Sequence, residues 1–394
     1  MVGAIPSLSV AVALLALCLL HPLLSRFSSA NNLPPGPKPS NFITGNVIPT
    51  THPWQTLSQW THQYGDIFTL RIGFTYLFVL GQASSAHAIM EKQSSVSSDR
   101  PRQIMAGELI SDNRRMLILP YGPRWRLYRK VMHETLQDKA AKLKVQEKQT
   151  ELGLTDAEGA SMAGSLFGAG SDTTASGLAI FVLAMCKFPH VLKTLQDEID
   201  LLCPYHLPTF QDLSPDQAPY FHATVYETLR WRPISAGGFA HRLTQDVEYR
   251  GYILPKGSTV VAPHWSISLD QKEYPNPHIF DPERFLSPEG NVKGTWFAPA
   301  RGSVAFGFGR RICPGLHIAI RSLTINLACM AWCFNISSKH PDQVDTLAFT
   351  SSANSHPLPF DAEFVYRSKE REQAVLEENR DQAELERAAA ARGS

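Results

Sequence analysis

The stretch Phe306-Gly-Phe-Gly-Arg-Arg-Ile-Cys313-Pro-Gly315 is a glycine-rich loop that presents one cysteine and then turns into a helix. Gly307 and Gly309 permit backbone conformations that a Cβ would penalise. Pro314 suits the first helical position, where a missing N–H costs nothing. Cys313 is thereby placed at a helix N-terminus, where the dipole and free N–H groups favour a thiolate. A lone thiolate on such a loop has the chemistry of an axial ligand to haem iron. The alternative for any single cysteine is a buried residue in a tight turn. The apolar run that follows, to about Phe334, sets Ala319, Leu323 and Leu327 on one helical stripe and reads as a core helix.

The spacing Phe306-x-x-Gly309-x-Arg311-x-Cys313-x-Gly315 resembles the haem-binding signature of the cytochrome P-450 monooxygenases. The resemblance implies heme b with its iron on Cys313, and Phe306 and Arg311 among the cofactor-binding residues. It also implies a mainly α fold with small β-sheets (α+β).

Other segments agree. Tyr121-Gly-Pro-Arg-Trp125-Arg-Leu-Tyr-Arg129 opens a helix near Pro123, and Trp125 and Arg129 share a face at i,i+4. An ordinary amphipathic surface helix would look the same. The pair is similar to the family's Trp-x-x-x-Arg helix, whose two residues bind a haem propionate. Leu154 to Lys187 reads as one long helix, started by a Thr155-x-x-Glu158 capping box and stopped by Pro189. Inside it, Ala169-Gly170-Ser-Asp172-Thr173-Thr174 puts small and polar residues where helix stability would not choose them. The segment resembles the family's oxygen-activation motif. That resemblance implies room for dioxygen at Gly170, Ala169 and Gly170 among the cofactor-binding residues, and proton relay through Asp172 and Thr173 as the catalytic residues. A glycine-rich packing face is the other reading.

Glu227-x-x-Arg230 and Pro282-Glu-Arg284-Phe285 resemble the motifs that form a buried Glu–Arg–Arg cluster; a weak surface ion pair is the alternative. His241 falls where the family places a propionate-binding residue. The short apolar runs Ile67–Ile72 and Tyr76–Leu80 suggest a hairpin.

At 394 residues and 43% hydrophobic content, the chain can bury a large core. A formal net charge of +1 gives no global pull toward nucleic acid, and no nucleic-acid partner is expected. Six cysteines without a CxxC pair read as a reducing compartment. Residues 5–24 form 20 residues without a charged side chain, enough to cross a bilayer, and Arg26 and Lys38 follow while no Lys or Arg precedes. A cleaved signal peptide is the competing reading. The organisation expected is therefore a transmembrane anchor at 5–24, a proline-rich hinge at 31–46, a catalytic domain at 47–366 and a charged tail at 367–394. The resemblance adds a single-pass location in the endoplasmic reticulum membrane, with the catalytic domain in the cytosol.

One departure stands out. Only 43 residues separate Trp125 from Ala169, an interval that in the family holds several middle helices, including the pair roofing the substrate pocket. The function implied is a membrane-anchored monooxygenase that inserts one atom of O2 into a lipophilic small molecule in secondary-metabolite biosynthesis. Its electrons would come from an NADPH-cytochrome reductase docked on Arg124, Arg126, Lys130 and Arg310. The alternative is a truncated, non-catalytic haem-binding remnant or mis-spliced product.

Overall fold

Two apolar runs with Gly73 between them make the hairpin that begins the fold. After helix α1 (Pro53–Tyr64), strand β1 (Ile67–Ile72) pairs antiparallel with β2 (Thr75–Leu80), Ile67 opposite Leu80. Gly73 takes φ +56° at the turn, a region that L side chains avoid. The structure, a computed structural model, describes residues 32–137, 151–293 and 304–392. The expected anchor at 5–24 and most of the lysine-rich run after Gln137 lie outside the described residues.

Strands β3 (His241–Arg242), β4 (Val247–Tyr249), β5 (Tyr252–Leu254) and β6 (Thr259–Val261) come from one later segment. The main sheet runs β1-β2-β6-β3, with β2 and β6 parallel and β6 and β3 antiparallel. β4 and β5 form a separate hairpin whose two central residues, Arg250 and Gly251, both have positive φ, as a tight primed turn requires.

The helical body is built on α2 (Pro123–Gln137), α3 (Asp156–Lys187), α4 (Pro189–Leu202), α5 (Pro219–Trp231) and α6 (Leu316–Cys333). The capping box at the start of α3 forms: the Thr155 hydroxyl accepts the Glu158 N–H, and the Glu158 carboxylate accepts the Thr155 N–H. Pro189 then opens α4 where α3 stops. The two halves of α3 differ. Ile180 to Cys186 is buried against α4, α5 and α6, whereas Phe167 is 78% exposed among Gly164, Gly168 and Gly170. A Cβ added at Gly177 would lie 2.9 Å from Leu323 Cδ2, so the glycine allows α6 to cross α3 closely. Truncating a buried leucine such as Leu327 there costs about 2–5 kcal/mol. Among the described residues, α3 and α6 are the helices long and apolar enough to cross a membrane, and both contribute to this core.

The Glu–Arg–Arg cluster is buried. The Glu227 carboxylate accepts both Nε–H and Nη2–H of Arg230 at 2.6 Å, accepts the Asp281 N–H at 2.8 Å, and lies 3.6 Å from Arg284 Nε. Pro314 is not the first helical residue as expected. Gly315 caps α6, which starts at Leu316. Beyond β7 (Phe334–Ser337) and β8 (Glu363–Tyr366), helix α7 (Lys369–Arg392) carries the charged tail. Its start is docked, since Arg367 and Arg371 both hold Asp200 and Arg371 stacks on Trp332 at 4.7 Å.

Candidate active site

Cys313 is seated by its own loop. Gly307 and Gly309 have φ +76° and +55°, and a Cβ on Gly309 would meet the Met90 carbonyl oxygen at 2.3 Å. The Cys313 N–H donates to the Phe306 carbonyl at 2.9 Å and closes the loop. The sulfur accepts N–H groups from Gly315 and Leu316, and the Arg129 charge lies near it. These three favour a thiolate, as expected from the helix terminus. Burial outweighs them and pushes the thiol above the ordinary cysteine value. The helix-end N–H groups and Arg129 thus act for the thiolate and burial acts against it, so a missing positive charge brought to the sulfur would add to the first side.

Beside the loop lie the buried Arg100 and His241 and the half-buried Arg129 and Arg311. Arg311 donates from Nε to the Ser98 carbonyl and from Nη2 to the Leu119 carbonyl, both at 2.8 Å, and its guanidinium stacks 4.5 Å from the Trp125 ring. Arg100 donates to the carbonyls of Leu117 and Ala240 at 2.8 and 2.5 Å. His241 Nδ1 lies 2.7 Å from the Ser97 carbonyl. Burial, reinforced by Arg100 and Arg311, pushes His241 down to about 3, so it stays neutral at ordinary pH. Burial likewise lowers Arg100 to about 10 and Arg311 to about 9, and it lowers Arg129.

Among the described residues, no carboxylate reaches ion-pair distance of Arg100, Arg129 or Arg311. Asp99 is the nearest counter-charge, and its Oδ1 is taken by the Tyr121 N–H. Buried guanidiniums satisfied by carbonyls alone are costly. A ligand bringing carboxylates relieves that cost, and one bringing a metal cation to Cys313 supplies the missing charge. Haem carries both, so the residues present fit it.

The expected distal residues sit on the exposed half of α3. Ala169, Gly170 and Asp172 face solvent and Thr173 is half-buried. Thr173 Oγ1 donates to the Ala169 carbonyl at 2.8 Å, and Asp172 Oδ2 accepts from Asn354 Nδ2 at 3.5 Å. Gly177, at the crossing with α6, follows Thr173 by one helical turn. A cavity of about 390 Å³ lies between this helix and the segment around Ile110, lined by Arg115, Ser161, Gly164 and Gly168.

The structure thus brings Trp125, Arg129, His241, Phe306, Arg311 and Cys313 to one wall. It adds Arg100, which sequence reasoning missed. Its only signal was an arginine before a proline in a serine-rich run, and its partners lie far along the chain. In the basic patch suggested for a redox partner, Arg126 and Lys130 are exposed, while Arg124 pairs with Glu158 at 3.0 Å and Arg310 with Tyr121.

An α-rich body with small sheets, and a half-buried cysteine at a helix start beside anion-seeking arginines, fit a haem-thiolate class of protein. The family model for cytochrome P-450 matches residues 34–151 and 139–364. The chain is 31% identical over 494 positions to cytochrome P-450 monooxygenase 64 of Postia placenta, covering 93% of this chain and 98% of that protein. It is 30% identical over 502 positions to monooxygenase 113 of the same fungus, covering 95% and 100%. With monooxygenase FrzL of a Cladobotryum species it shares 27% over 468 positions, covering 87% and 89%. The chain belongs to the cytochrome P-450 family and is an oxidoreductase of the monooxygenase class.

Proposed function

We propose that the protein is a membrane-anchored haem-thiolate monooxygenase that inserts one oxygen atom from O2 into a lipophilic small molecule, in fungal secondary-metabolite biosynthesis at the endoplasmic reticulum. The observation that carries the reading is the group of arginines beside Cys313, Arg100, Arg129 and Arg311, which among the described residues have no carboxylate at ion-pair distance. Cys313 would be the axial ligand, with Phe306 shaping its loop. Arg100, Arg129, His241 and Arg311 would hold the propionates, with Trp125 as the platform that orients Arg311. Bound there, haem supplies activation of dioxygen with electrons drawn from NADPH through a flavoprotein reductase.

Ala169 and Gly170 would leave space beside the distal face. The Thr173 hydroxyl and the Asp172 carboxylate would pass protons inward from solvent. The exposure of Asp172 supports this, because a relay needs a wet end. A shortened roof is part of the proposal. The aligned length of 494 positions exceeds the chain's 394 residues, so the relative holds segments without counterpart here.

The same exposure favours a second reading, a haem-binding remnant that does not hold substrate. Water at an open distal face promotes leakage of reduced oxygen. The test is the spectrum of the full chain, reduced and bound to carbon monoxide. A red-shifted thiolate-type band, absent from Cys313→Ser, supports the haem assignment; the same band in that variant sinks it. Turnover with reductase then separates the readings: NADPH consumption matched by oxygenated product supports the enzyme, and consumption matched only by peroxide supports the remnant.

A further inference from the structure

Three donor side chains meet at the loop joining α4 to α5, away from the active site; Cys203 belongs at once to the packed core and to this group, its thiol hydrogen-bonded to Asp212. Cys203 Sγ, a ring nitrogen of His206 and a carboxylate oxygen of Asp212 all lie within 4.8 Å of one another. His206 Nε2 is 4.0 Å from Asp212 Oδ1. The surroundings turn each donor inward. His206 Nδ1 lies 3.0 Å from the Leu207 carbonyl, which only accepts, so in the neutral ring Nδ1 carries the hydrogen and Nε2 keeps its lone pair. Asp212 Oδ2 accepts the Thr209 N–H at 2.9 Å and the Thr209 hydroxyl at 2.6 Å, which leaves Oδ1 for the cluster. A carbonyl behind the imidazole and hydrogen bonds behind the carboxylate are how protein metal sites fix their ligands.

The sulfur side is equally fixed. Cys203 is fully buried, and its carbonyl accepts the Trp332 indole N–H at 2.6 Å. A second sulfur, Cys329 of α6, packs on the same loop, 3.9 Å from the Pro208 carbonyl.

We propose that Cys203, His206 and Asp212 form a binding site for a zinc-type divalent cation, with a fourth position open to water. One sulfur, one imidazole and one carboxylate suit a borderline-soft ion in tetrahedral geometry and do not suit calcium or magnesium. Bonds of about 2.0–2.3 Å in that geometry set donor atoms roughly 3.3–3.8 Å apart. The exposed His206 ring can swing in by that difference while the Cys203 and Asp212 ends hold still. Binding replaces the Cys203 thiol hydrogen with a metal–sulfur bond, and the proton leaves to solvent. The bound ion would tie the end of α4 to the loop before α5, on a face the haem reading does not involve.

The test uses the full-length, haem-loaded protein, stripped with a chelator and titrated with zinc by calorimetry. The His206→Ala change touches an exposed side chain and Asp212→Asn keeps the shape of a half-buried one, and an unaltered haem-to-protein ratio verifies their fold. One zinc per chain at micromolar affinity or tighter is expected, weakened at least tenfold in each variant. The zinc K-edge spectrum should show a single sulfur neighbour. Absence of such an equivalent, binding by His206→Ala as tight as the parent's, or a sulfur-free zinc shell would each overturn the site.

Discussion

Replacing Glu227 with glutamine tests whether the Glu–Arg–Arg cluster is held by charge or by shape. Glu227 and Arg230 are 0% and 1% exposed and Arg284 is 11% exposed. The glutamine keeps the volume and can still accept the Asp281 N–H, but it leaves two guanidiniums facing each other in the interior. Removing one partner of a buried pair costs about 3–5 kcal/mol. Arg230→Met should cost a similar amount, because it strands the carboxylate and frees the Ser268 and Pro277 carbonyls that Arg230 now satisfies. The double variant should cost clearly less than the two together, by about 1–3 kcal/mol of coupling. Urea unfolding followed by far-ultraviolet circular dichroism at pH 7 reads all four proteins. A loss below about 1 kcal/mol for Glu227→Gln, or simple additivity in the double variant, would refute the account of this cluster as an interlocked charge network.

Gly309→Ala sets a Cβ against the Met90 carbonyl at 2.3 Å and forces φ +55° on a residue that resists it, at about 1–2 kcal/mol for the backbone alone; haem retention should collapse, and a normal haem-to-protein ratio would contradict the loop geometry. Asp200→Asn loosens the hold of Arg367 and Arg371 on the C-terminal helix, so limited proteolysis should cut near residue 367 while the thermal midpoint drops only slightly. His241 is held near 3 against an ordinary 6.5. The unfolded chain therefore binds the proton first, and this residue's contribution is complete above pH 6.5 and fades as pH falls toward 3. A His241→Phe variant should show a shallower loss of stability over that window, and an unchanged slope would remove His241 from the acid response.

What was legible in the sequence was contiguous. The Phe306–Gly315 loop, the Thr155–Glu158 box and the hairpin at 67–80 each depend on residues within a few positions of one another, where spacing and turn chemistry decide the outcome. What escaped depends on distant chain segments or on burial. Arg100 joins His241 and Arg311 only because β3 pairs against β6 and brings Ala240 beside it. Asp200 gave no sign of its two arginines, which lie more than 160 positions further on. At Cys313 the helix terminus could be read from Pro314 and Gly315, but the opposing desolvation could not. The start of α6 moved to Leu316 because the N–H groups of Gly315 and Leu316 turn toward the sulfur.

The short interval between α2 and α3 separates two properties that usually travel together. Every residue of the candidate cofactor wall lies in segments 97–129, 240–242 or 306–316, and Trp125, Phe306 and Phe308 of that wall and its loop pack among other described residues of the core. Holding a cofactor and excluding water from its distal side are then tasks of different parts of the chain. A graft tests the separation directly. The interval that a relative such as monooxygenase 64 carries between its counterparts of α2 and α3, substituted for residues 138–150, should leave the carbon monoxide band and the haem ratio unchanged. It should also raise the fraction of NADPH recovered as product severalfold, because it restores cover over Ala169, Gly170 and Asp172. If the graft instead shifted the band or the haem ratio, the wall would depend on the roof, and the two tasks would not be separable along the chain.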